Sequence, residues 1–179
     1  MAGSEAQIPY AGSTLIALEA AHFAAIQRCV RLLFSLAHSS AYSARVEAEA
    51  GPDPVLRHVP GNFGVFMGYD FHVTPEGPRL IEVNTNAGGA LLNGLHTASL
   101  CDPAKLACVC TQLVSVESLE HSIAETFRQE FAALRGAAAR LTHIAIVDDE
   151  PEKQFLKSEF ELFCSLFGAA GIEARVVDT

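Results

Sequence analysis

The sequence predicts an α/β protein with a helical N-terminal segment, an antiparallel hairpin and a parallel β-α-β unit. Three patterns support this fold class. A long amphipathic helical period occupies residues 14–37, alternating apolar residues mark two short strands within residues 63–84, and apolar strands flank a helical pattern within residues 142–178. Half of the 179 residues are hydrophobic, which is enough to bury a core.

The formal net charge of −9 disfavours binding to nucleic acid or to an anionic membrane, because such partners attract clustered Lys and Arg. No apolar run reaches the ~20 residues that a transmembrane helix needs. The first residues lack the basic stretch of a secretion signal. We therefore expect a cytoplasmic protein with reduced cysteines.

The cysteines divide into two groups. Cys29 and Cys164 fall in helical apolar patterns and are predicted to lie in the core. Cys101, Cys108 and Cys110 have a spacing that matches no zinc knuckle, and no fourth ligand is evident nearby. A structural metal at these cysteines is therefore the less favoured interpretation.

Four segments have the period of an amphipathic helix: residues 14–37, 40–49, 117–135 and 152–169. Several of them have recognisable end signals. Ser13 is a plausible N-cap for the first, the sequence GPDP ends the second, and Gly171 ends the last. The whole stretch from residue 90 to residue 136 is expected to be mostly helical.

The C-terminal part has the order strand, helix, strand. An apolar strand leads into the acidic loop VDDE, the helix at 152–169 follows, and residues 172–178 begin a second strand. Such an order implies parallel pairing and the start of a Rossmann-like layer. Because two parallel strands with one helix are marginal alone, we expect a further portion of the protein or a partner to complete this unit. The predicted boundary divides residues 1–136 from residues 137–179.

The acidic residues after the first of these strands have two interpretations. Asp148, Asp149 and Glu150 follow its carboxyl end, where α/β sheets place ligands. The favoured interpretation is an ordinary helix start with Asp149 as the cap.

In the hairpin, the period of two separates an apolar face from a polar face. Folding the chain about Glu76, in the middle of a five-residue Pro/Gly loop, keeps the apolar residues on one face. The cross-strand pairs predicted by this register are Tyr69–Val83, Phe71–Ile81, Asp70–Glu82 and Gly68–Asn84.

The predicted Asp70–Glu82 pair indicates a cation site. Directly opposed like charges cost roughly 0.2 to 1 kcal/mol, and a cation between them removes that cost. The carboxylates together with the amide oxygen of Asn84 form an oxygen-only ligand set, which suits Mg²⁺ or Mn²⁺. The alternative is a solvated hairpin face that carries acids without a ligand.

Residues around this pair are candidates for contacting an anion. The loop through Asn86, Gly88 and Gly89 offers backbone N–H groups to a phosphate or a reacting carbonyl. His72 shares the face of Asp70 and is a candidate for a phosphate contact, although a structural histidine is the alternative. Arg57, in a predicted loop, is a weaker candidate.

Arg79, in contrast, falls on the apolar face by the strand period of two and is expected to cap the strand end.

The stretch GVFMGYDFHVTPEGPRLIEVNTNAGGALLN resembles the metal-binding end of the ATP-grasp superfamily. The match consists of Asp70, then Glu82-x-Asn84 on the next strand, then the glycine loop. The hairpin precedes the Rossmann-like strand, an order similar to that of circularly permuted ATP-grasp proteins of the glutathionylspermidine synthetase type. By this resemblance Asp70, Glu82 and Asn84 hold two Mg²⁺ ions on the ATP phosphates.

The resemblance also implies an activity for the whole protein. It implies an ATP-dependent, Mg²⁺-dependent ligase that activates a small-molecule carboxylate as an acyl phosphate, which an amine or thiol attacks. Asn86, Gly88 and Gly89 would lie beside that intermediate. The chain has Lys105, Lys153 and Lys157 as its only lysines, all after the hairpin, and resembles the first part of such an enzyme without its ATP lobe. We therefore expect no turnover by this chain alone. The alternative is a non-catalytic module that binds a divalent metal or a partner.

Overall fold

The computed structural model describes residues 18–51, 53–58, 60–100 and 115–179, apart from the side chains of residues 99 and 100. These residues form a mixed α/β structure with six α-helices and two two-stranded sheets. They divide into two compact units, each treated separately below. The hairpin unit comprises the described residues up to 63 together with 67–86, and the parallel-sheet unit comprises residues 64–66 and the described residues from 87 onward.

The hairpin unit begins with three helices, α1 (Ala20–Ala37), α2 (Ser40–Ala50) and the short α3 (Pro54–Arg57). The predicted second helix is confirmed. The first helix begins later than predicted, because residues 18 and 19 are not helical, and its predicted cap Ser13 lies outside the described residues. Helix α3 was not predicted.

Local capping explains where two of these helices start. The Ser39 side chain accepts a hydrogen bond from the Tyr42 N–H at 3.2 Å, and the Asp53 carboxylate accepts one from the Val55 N–H at 2.8 Å. Pro54 occupies the first turn of α3, where its missing N–H costs nothing. Each cap satisfies a backbone donor that the helix itself leaves without a partner.

Strands β1 (Gly68–Thr74) and β2 (Gly77–Asn84) form the antiparallel hairpin. Near the open end the predicted register is confirmed, since Gly68, Tyr69 and Asp70 pair with Asn84, Val83 and Glu82. The predicted five-residue loop is wrong. Thr74 pairs with Gly77, so only residues 75 and 76 form the turn.

A β-bulge reconciles the short turn with the confirmed register. The register shifts between Asp70 and Phe71, so Phe71 pairs with Leu80, and the predicted Phe71–Ile81 pair is wrong. The adjacent apolar residues Leu80 and Ile81 break strict alternation, and an extra residue in one strand accommodates such a break. Beyond the bulge, His72 pairs with Arg79.

The parallel-sheet unit contains two strands and three helices: α4 (Ala90–Leu100), α5 (Val116–Arg135), β3 (His143–Asp148), α6 (Lys157–Ala169) and β4 (Glu173–Asp178). Strands β3 and β4 pair in parallel from His143–Glu173 to Asp148–Asp178, as predicted. Gly171, with φ of +76°, follows the end of α6 in the left-handed conformation that glycine favours.

The start of the last helix differs from the prediction. A 3-10 turn occupies Pro151–Lys153, and α6 begins only at Lys157. The predicted cap, Asp149, accepts no hydrogen bond from a described backbone N–H of this helix. The cap interpretation of Asp149 is therefore wrong.

The hydrophobic core of the parallel-sheet unit lies between α4, α5, α6 and the start of β4. Its buried members are Leu91, Ile123, Ala124, Leu166, Phe167 and Ile172. Phe167 is 1% exposed, and its ring lies 5.0 Å from that of Phe127 in an edge-to-face contact. Cys164 and, in the hairpin unit, Cys29 are half-buried, so neither belongs to a fully buried core.

None of the helices in the described parts of the chain is both long and apolar enough to cross a membrane.

Candidate functional site

The polar face of the hairpin carries Asp70 directly opposite Glu82. Both carboxylates are exposed. Neither forms an ion pair or a side-chain hydrogen bond with any residue that the structure describes. No described residue therefore compensates the repulsion between the two charges, which solvent or a cation would reduce.

Asn84 extends this ligand set by one cross-strand pair. It lies opposite Gly68, and it is half-buried. Because glycine has no side chain, Gly68 itself places no side-chain atoms across from the Asn84 amide. Two carboxylates and an amide provide only oxygen ligands, which fits Mg²⁺ or Mn²⁺ with water or phosphate oxygens in the remaining positions.

Within the described residues, no group of three or more His, Cys, Asp or Glu side chains could hold a metal ion. The hairpin set is consistent with this finding, because its third member is an amide. Cys101, Cys108 and Cys110 lie outside the described residues.

The residues considered for contacting an anion differ in whether they already have a partner. Arg57 lies in α3 rather than in a loop, and its Nε is 2.7 Å from a Glu47 carboxylate oxygen. His72 and Arg79 lie opposite each other on the hairpin, are exposed, and make no ion pair or side-chain hydrogen bond with a described residue. Arg79 was expected on the apolar face of the hairpin. That expectation is wrong, because the bulge shifts Arg79 to the face of its cross-strand partner His72.

The glycine loop after the hairpin brings its backbone N–H groups to a carboxylate of the same protein. Glu159, 2% exposed, accepts hydrogen bonds from Gly89 N at 2.5 Å, Leu91 N at 2.9 Å and Leu92 N at 3.5 Å. These groups form the start of α4, where the helix dipole favours a negative charge. Glu159 therefore occupies the position that a bound anion would take at this helix.

Both predicted glycines have a structural reason in this arrangement. A Cβ on Gly88 would require the end of the Leu156 side chain to move, and Gly89 has a φ of +91°, which glycine adopts readily. The Gly88 N–H donates no hydrogen bond to a described residue. Asn86 belongs to the hairpin unit and is exposed.

Glu159 was missed at the sequence level although a signal was present. It lies three residues after Leu156, four before Phe163 and seven before Leu166, which places an acid on the apolar stripe of α6. Buried acids almost always have partners, so this position indicated a buried polar contact. The sequence did not indicate which groups are its hydrogen-bond partners, because they lie about 70 residues earlier in the chain.

The acids at the carboxyl end of the parallel sheet are already hydrogen-bonded. An Asp178 carboxylate oxygen accepts from the N–H groups of Glu150 and Thr179, each at 3.0 Å, and an Asp148 oxygen accepts from the Asp149 N–H at 2.8 Å. The Thr179 hydroxyl donates to Asp149 at 3.2 Å. Local backbone and hydroxyl donors thus compensate these charges.

The two described lysines are also paired with acids. Lys153 contacts Glu150, and the Lys157 ammonium is 2.7 Å from Glu152 and 3.8 Å from Glu161. The hydrogen bond and negative charge of Glu152 raise the pKa of Lys157. All three ion pairs are solvent-exposed, so they contribute little to stability. Lys105 lies outside the described residues.

Comparison of the chain with protein-family models, with curated proteins and with solved structures finds no match. Inference about function therefore depends on the residues of the hairpin and on their geometry.

Proposed function

We propose that this chain forms the metal-binding part of an ATP-dependent ligase, with Asp70, Glu82 and Asn84 as ligands of Mg²⁺ or Mn²⁺. The observation that supports the proposal is the hairpin register, in which Asp70 opposes Glu82 and Asn84 opposes Gly68. Opposed, exposed carboxylates that have no partner among the described residues are available as oxygen ligands for a divalent cation. In this proposal the hairpin is that of an ATP-grasp domain, and β3, α6 and β4 begin a Rossmann-like domain in permuted order.

The proposed reaction joins a small-molecule carboxylate to an amine or a thiol. ATP transfers its terminal phosphoryl group to the carboxylate, and the nucleophile then displaces phosphate from the acyl phosphate. When bound, the metal ion would neutralise charge on the phosphate oxygens during the transfer. Asp70 and Glu82 hold the cation in this scheme, while the Asn84 amide fixes its position on the strand.

Asn86, Gly88 and Gly89 are proposed to lie beside the acyl phosphate. Of the two glycines, Gly88 retains an N–H without a partner among the described residues, whereas the Gly89 N–H donates to Glu159. Gly88 is therefore the better donor to a reacting oxygen. His72 is the favoured cofactor contact, because the other candidate, Arg57, is paired with Glu47.

The alternative is a non-catalytic module that binds a divalent metal or a partner. It is favoured by the pairing of Lys153 and Lys157 with glutamates, because these lysines are not free to neutralise ATP phosphates. We expect no steady, Mg²⁺-dependent ATP hydrolysis from this chain alone. Such hydrolysis would exclude the non-catalytic alternative and would show that the chain contains a sufficient ATP site.

The metal assignment is tested by titrating Mn²⁺ into the full chain and measuring free Mn²⁺ by electron paramagnetic resonance. Glu82→Gln is expected to abolish saturable binding, because a neutral amide replaces one of two carboxylate ligands. Glu76→Gln is the matched control, since Glu76 lies at the turn of the same hairpin and contacts Thr74. Far-UV circular dichroism should show unchanged helix content in both variants. Equal Mn²⁺ affinity in Glu82→Gln and the wild type would remove the assignment.

A further inference from the structure

The apolar face of the hairpin forms one side of a pocket of about 450 Å³. The cross-strand pair Tyr69–Val83 lies in its wall. This pair faces away from Asp70 and Glu82, because neighbouring residues of a strand point to opposite faces. The other side of the pocket comes from the end of α1, which packs on both strands, and from the start of α2. The volume is within the range of small-molecule sites, roughly 300 to 1,000 Å³.

The wall of this pocket is mainly apolar and open to solvent. Phe34, Leu36 and Met67 are large apolar side chains, yet each is at least 40% exposed. In α1, which the structure describes in full, no residue is buried. Exposed apolar surface in a concave site is typical of ligand-binding grooves, so an apolar ligand would gain free energy by covering it. The apolar lining consists of Leu33, Phe34, Leu36, Ala37, Met67 and Val83.

No permanently charged side chain is among the described residues that line the pocket. Its polar members are His38, Tyr42, Tyr69 and Thr85. A carboxylate or an ammonium group would lose its hydration here without gaining a permanent counter-charge. The lining therefore favours a neutral ligand over a fatty acid or an amine.

His38 provides a hydrogen-bond acceptor at this pocket. Its Nδ1 lies 2.7 Å from the Phe34 carbonyl oxygen, and because a carbonyl oxygen only accepts, Nδ1 carries a proton. In the neutral ring Nε2 is then an acceptor, and it forms no hydrogen bond with a described residue. The rings of Phe34 and Phe63 lie 4.2 Å and 5.0 Å from the imidazole and help to fix its orientation.

We propose that this pocket binds a neutral aromatic molecule of two or three rings that carries a hydroxyl group, which donates a hydrogen bond to His38 Nε2. The rings of the ligand contact Phe34, Met67 and Tyr69, since aromatic and thioether side chains both pack favourably on an aromatic molecule. A cavity of about 150 Å³ accommodates one benzene ring, so a volume about three times larger accommodates two or three rings. This pocket is independent of the proposed metal site, which lies on the opposite face of the hairpin.

The test is fluorescence anisotropy of 2-naphthol titrated with the full chain, compared with 2-methoxynaphthalene, which has the same rings but no hydroxyl donor. The chain has no Trp, so the naphthalene signal is measured without tryptophan emission. The wild type is expected to bind 2-naphthol about fivefold more tightly than 2-methoxynaphthalene, the size of a neutral hydrogen bond. Equal affinities of the wild type for the two probes, or no binding of 2-naphthol, would overturn the proposal.

His38→Phe tests the hydrogen bond, because it keeps an aromatic ring but removes the acceptor. This variant is expected to bind the two probes with equal affinity. His58→Phe makes the same change at an exposed position outside the pocket lining and should keep the fivefold preference of about the wild-type size. If His38→Phe also keeps the preference, His38 does not bind the hydroxyl group and the proposed contact is wrong.

Ala37→Phe tests the location of the ligand. Its added ring occupies volume that the ligand needs, so the affinity for both probes should fall at least about tenfold. Ala48→Phe is the matched control, at an exposed position of α2 outside the pocket lining, and should retain wild-type affinity. Far-UV circular dichroism should show unchanged helix content in both variants. Wild-type affinity in Ala37→Phe would place the ligand elsewhere and contradict the proposal.

One further variant separates this pocket from the metal assignment. Glu82→Gln should bind 2-naphthol as the wild type does, because Glu82 lies on the opposite face of the hairpin. Loss of 2-naphthol binding in Glu82→Gln, with the helix content unchanged, would show that the two sites are not independent and would contradict the proposed pocket.

Discussion

The acids of the hairpin strands and the acids of the parallel-sheet unit described above differ in whether they have hydrogen-bond partners. In the parallel-sheet unit, the buried Glu159 has three backbone N–H partners, and the acids at the sheet end accept hydrogen bonds from nearby backbone groups. In the hairpin unit, Asp70 and Glu82 face each other in solvent without a described partner. Charges that already have partners contribute to structure, whereas charges without partners remain available to bind a ligand.

The two units also differ in how deeply they bury apolar side chains. The parallel-sheet unit buries Leu91, Phe167 and Ile172 to 2% exposure or less. Among its described residues the hairpin unit buries none to that degree, and Phe23 and Leu36 remain more than half exposed. Burial of apolar area is the main source of folding free energy, so stability should be concentrated in the parallel-sheet unit. The following predictions test that division, from the largest expected effect to the smallest.

Phe167→Ala should lower the free energy of unfolding by about 3 to 5 kcal/mol, because it removes a fully buried ring and leaves a cavity. The matched variant Phe23→Ala, at a residue 52% exposed in the hairpin unit, should cost less than about 1 kcal/mol. Urea unfolding followed by far-UV circular dichroism measures both. Equal losses in the two variants would contradict the proposed concentration of stability.

Glu159→Ala should cost about 2 to 3 kcal/mol, because it leaves the N–H groups of Gly89 and Leu91 buried without an acceptor. Glu159→Gln should cost less, since its amide oxygen can still accept one of these bonds. Glu173→Gln is the control, with a side chain 75% exposed, and should be nearly neutral. Equal unfolding free energies for Glu159→Ala and this control would show that the carboxylate does not stabilise the start of α4.

Cys164 should react slowly with alkylating reagents. Burial raises the pKa of its thiol, and the negative charge of Glu161 adds to the effect. Because only the thiolate reacts, iodoacetamide at about pH 8 should modify Cys164 several-fold more slowly than free cysteine. Glu161→Gln should increase the rate slightly. Mass spectrometry of the modified peptide gives the rates, and reaction as fast as free cysteine would be inconsistent with a raised pKa.

The sequence predicted the elements whose information is local. The pairing of Asp70 with Glu82 follows from periodicity over a few residues, and the parallel pairing of β3 and β4 follows from the order strand, helix, strand. Both were predicted correctly. The two-residue turn was missed because an alternating pattern cannot show how residues are divided between turn and strand. Two adjacent apolar residues, Leu80 and Ile81, were the local sign of the bulge that compensates for the short turn.

The hydrogen-bond partners of buried residues and of helix caps were harder to predict from the sequence. The prediction that Asp149 caps a helix failed because the helix begins several residues later, after a 3-10 turn. Glu159 was missed because its donors come from a loop far away in the chain. The position of Arg79 on the polar face required the bulge to be known first. The local pattern thus predicts the acidic pair, and the observed register shows that Arg79 lies opposite His72 on the same hairpin.

The most direct test of the central claim determines which of the two units binds the cation. Mn²⁺ broadens the signals of nearby nuclei, so ¹H–¹⁵N spectra of the full chain should be recorded during addition of Mn²⁺ at substoichiometric amounts. We predict that the amide signals of Asp70, Glu82 and their strand neighbours disappear first. First loss of the signals of Asp148, Asp149 and Asp178 would instead place the cation at the parallel sheet and contradict the proposed hairpin site.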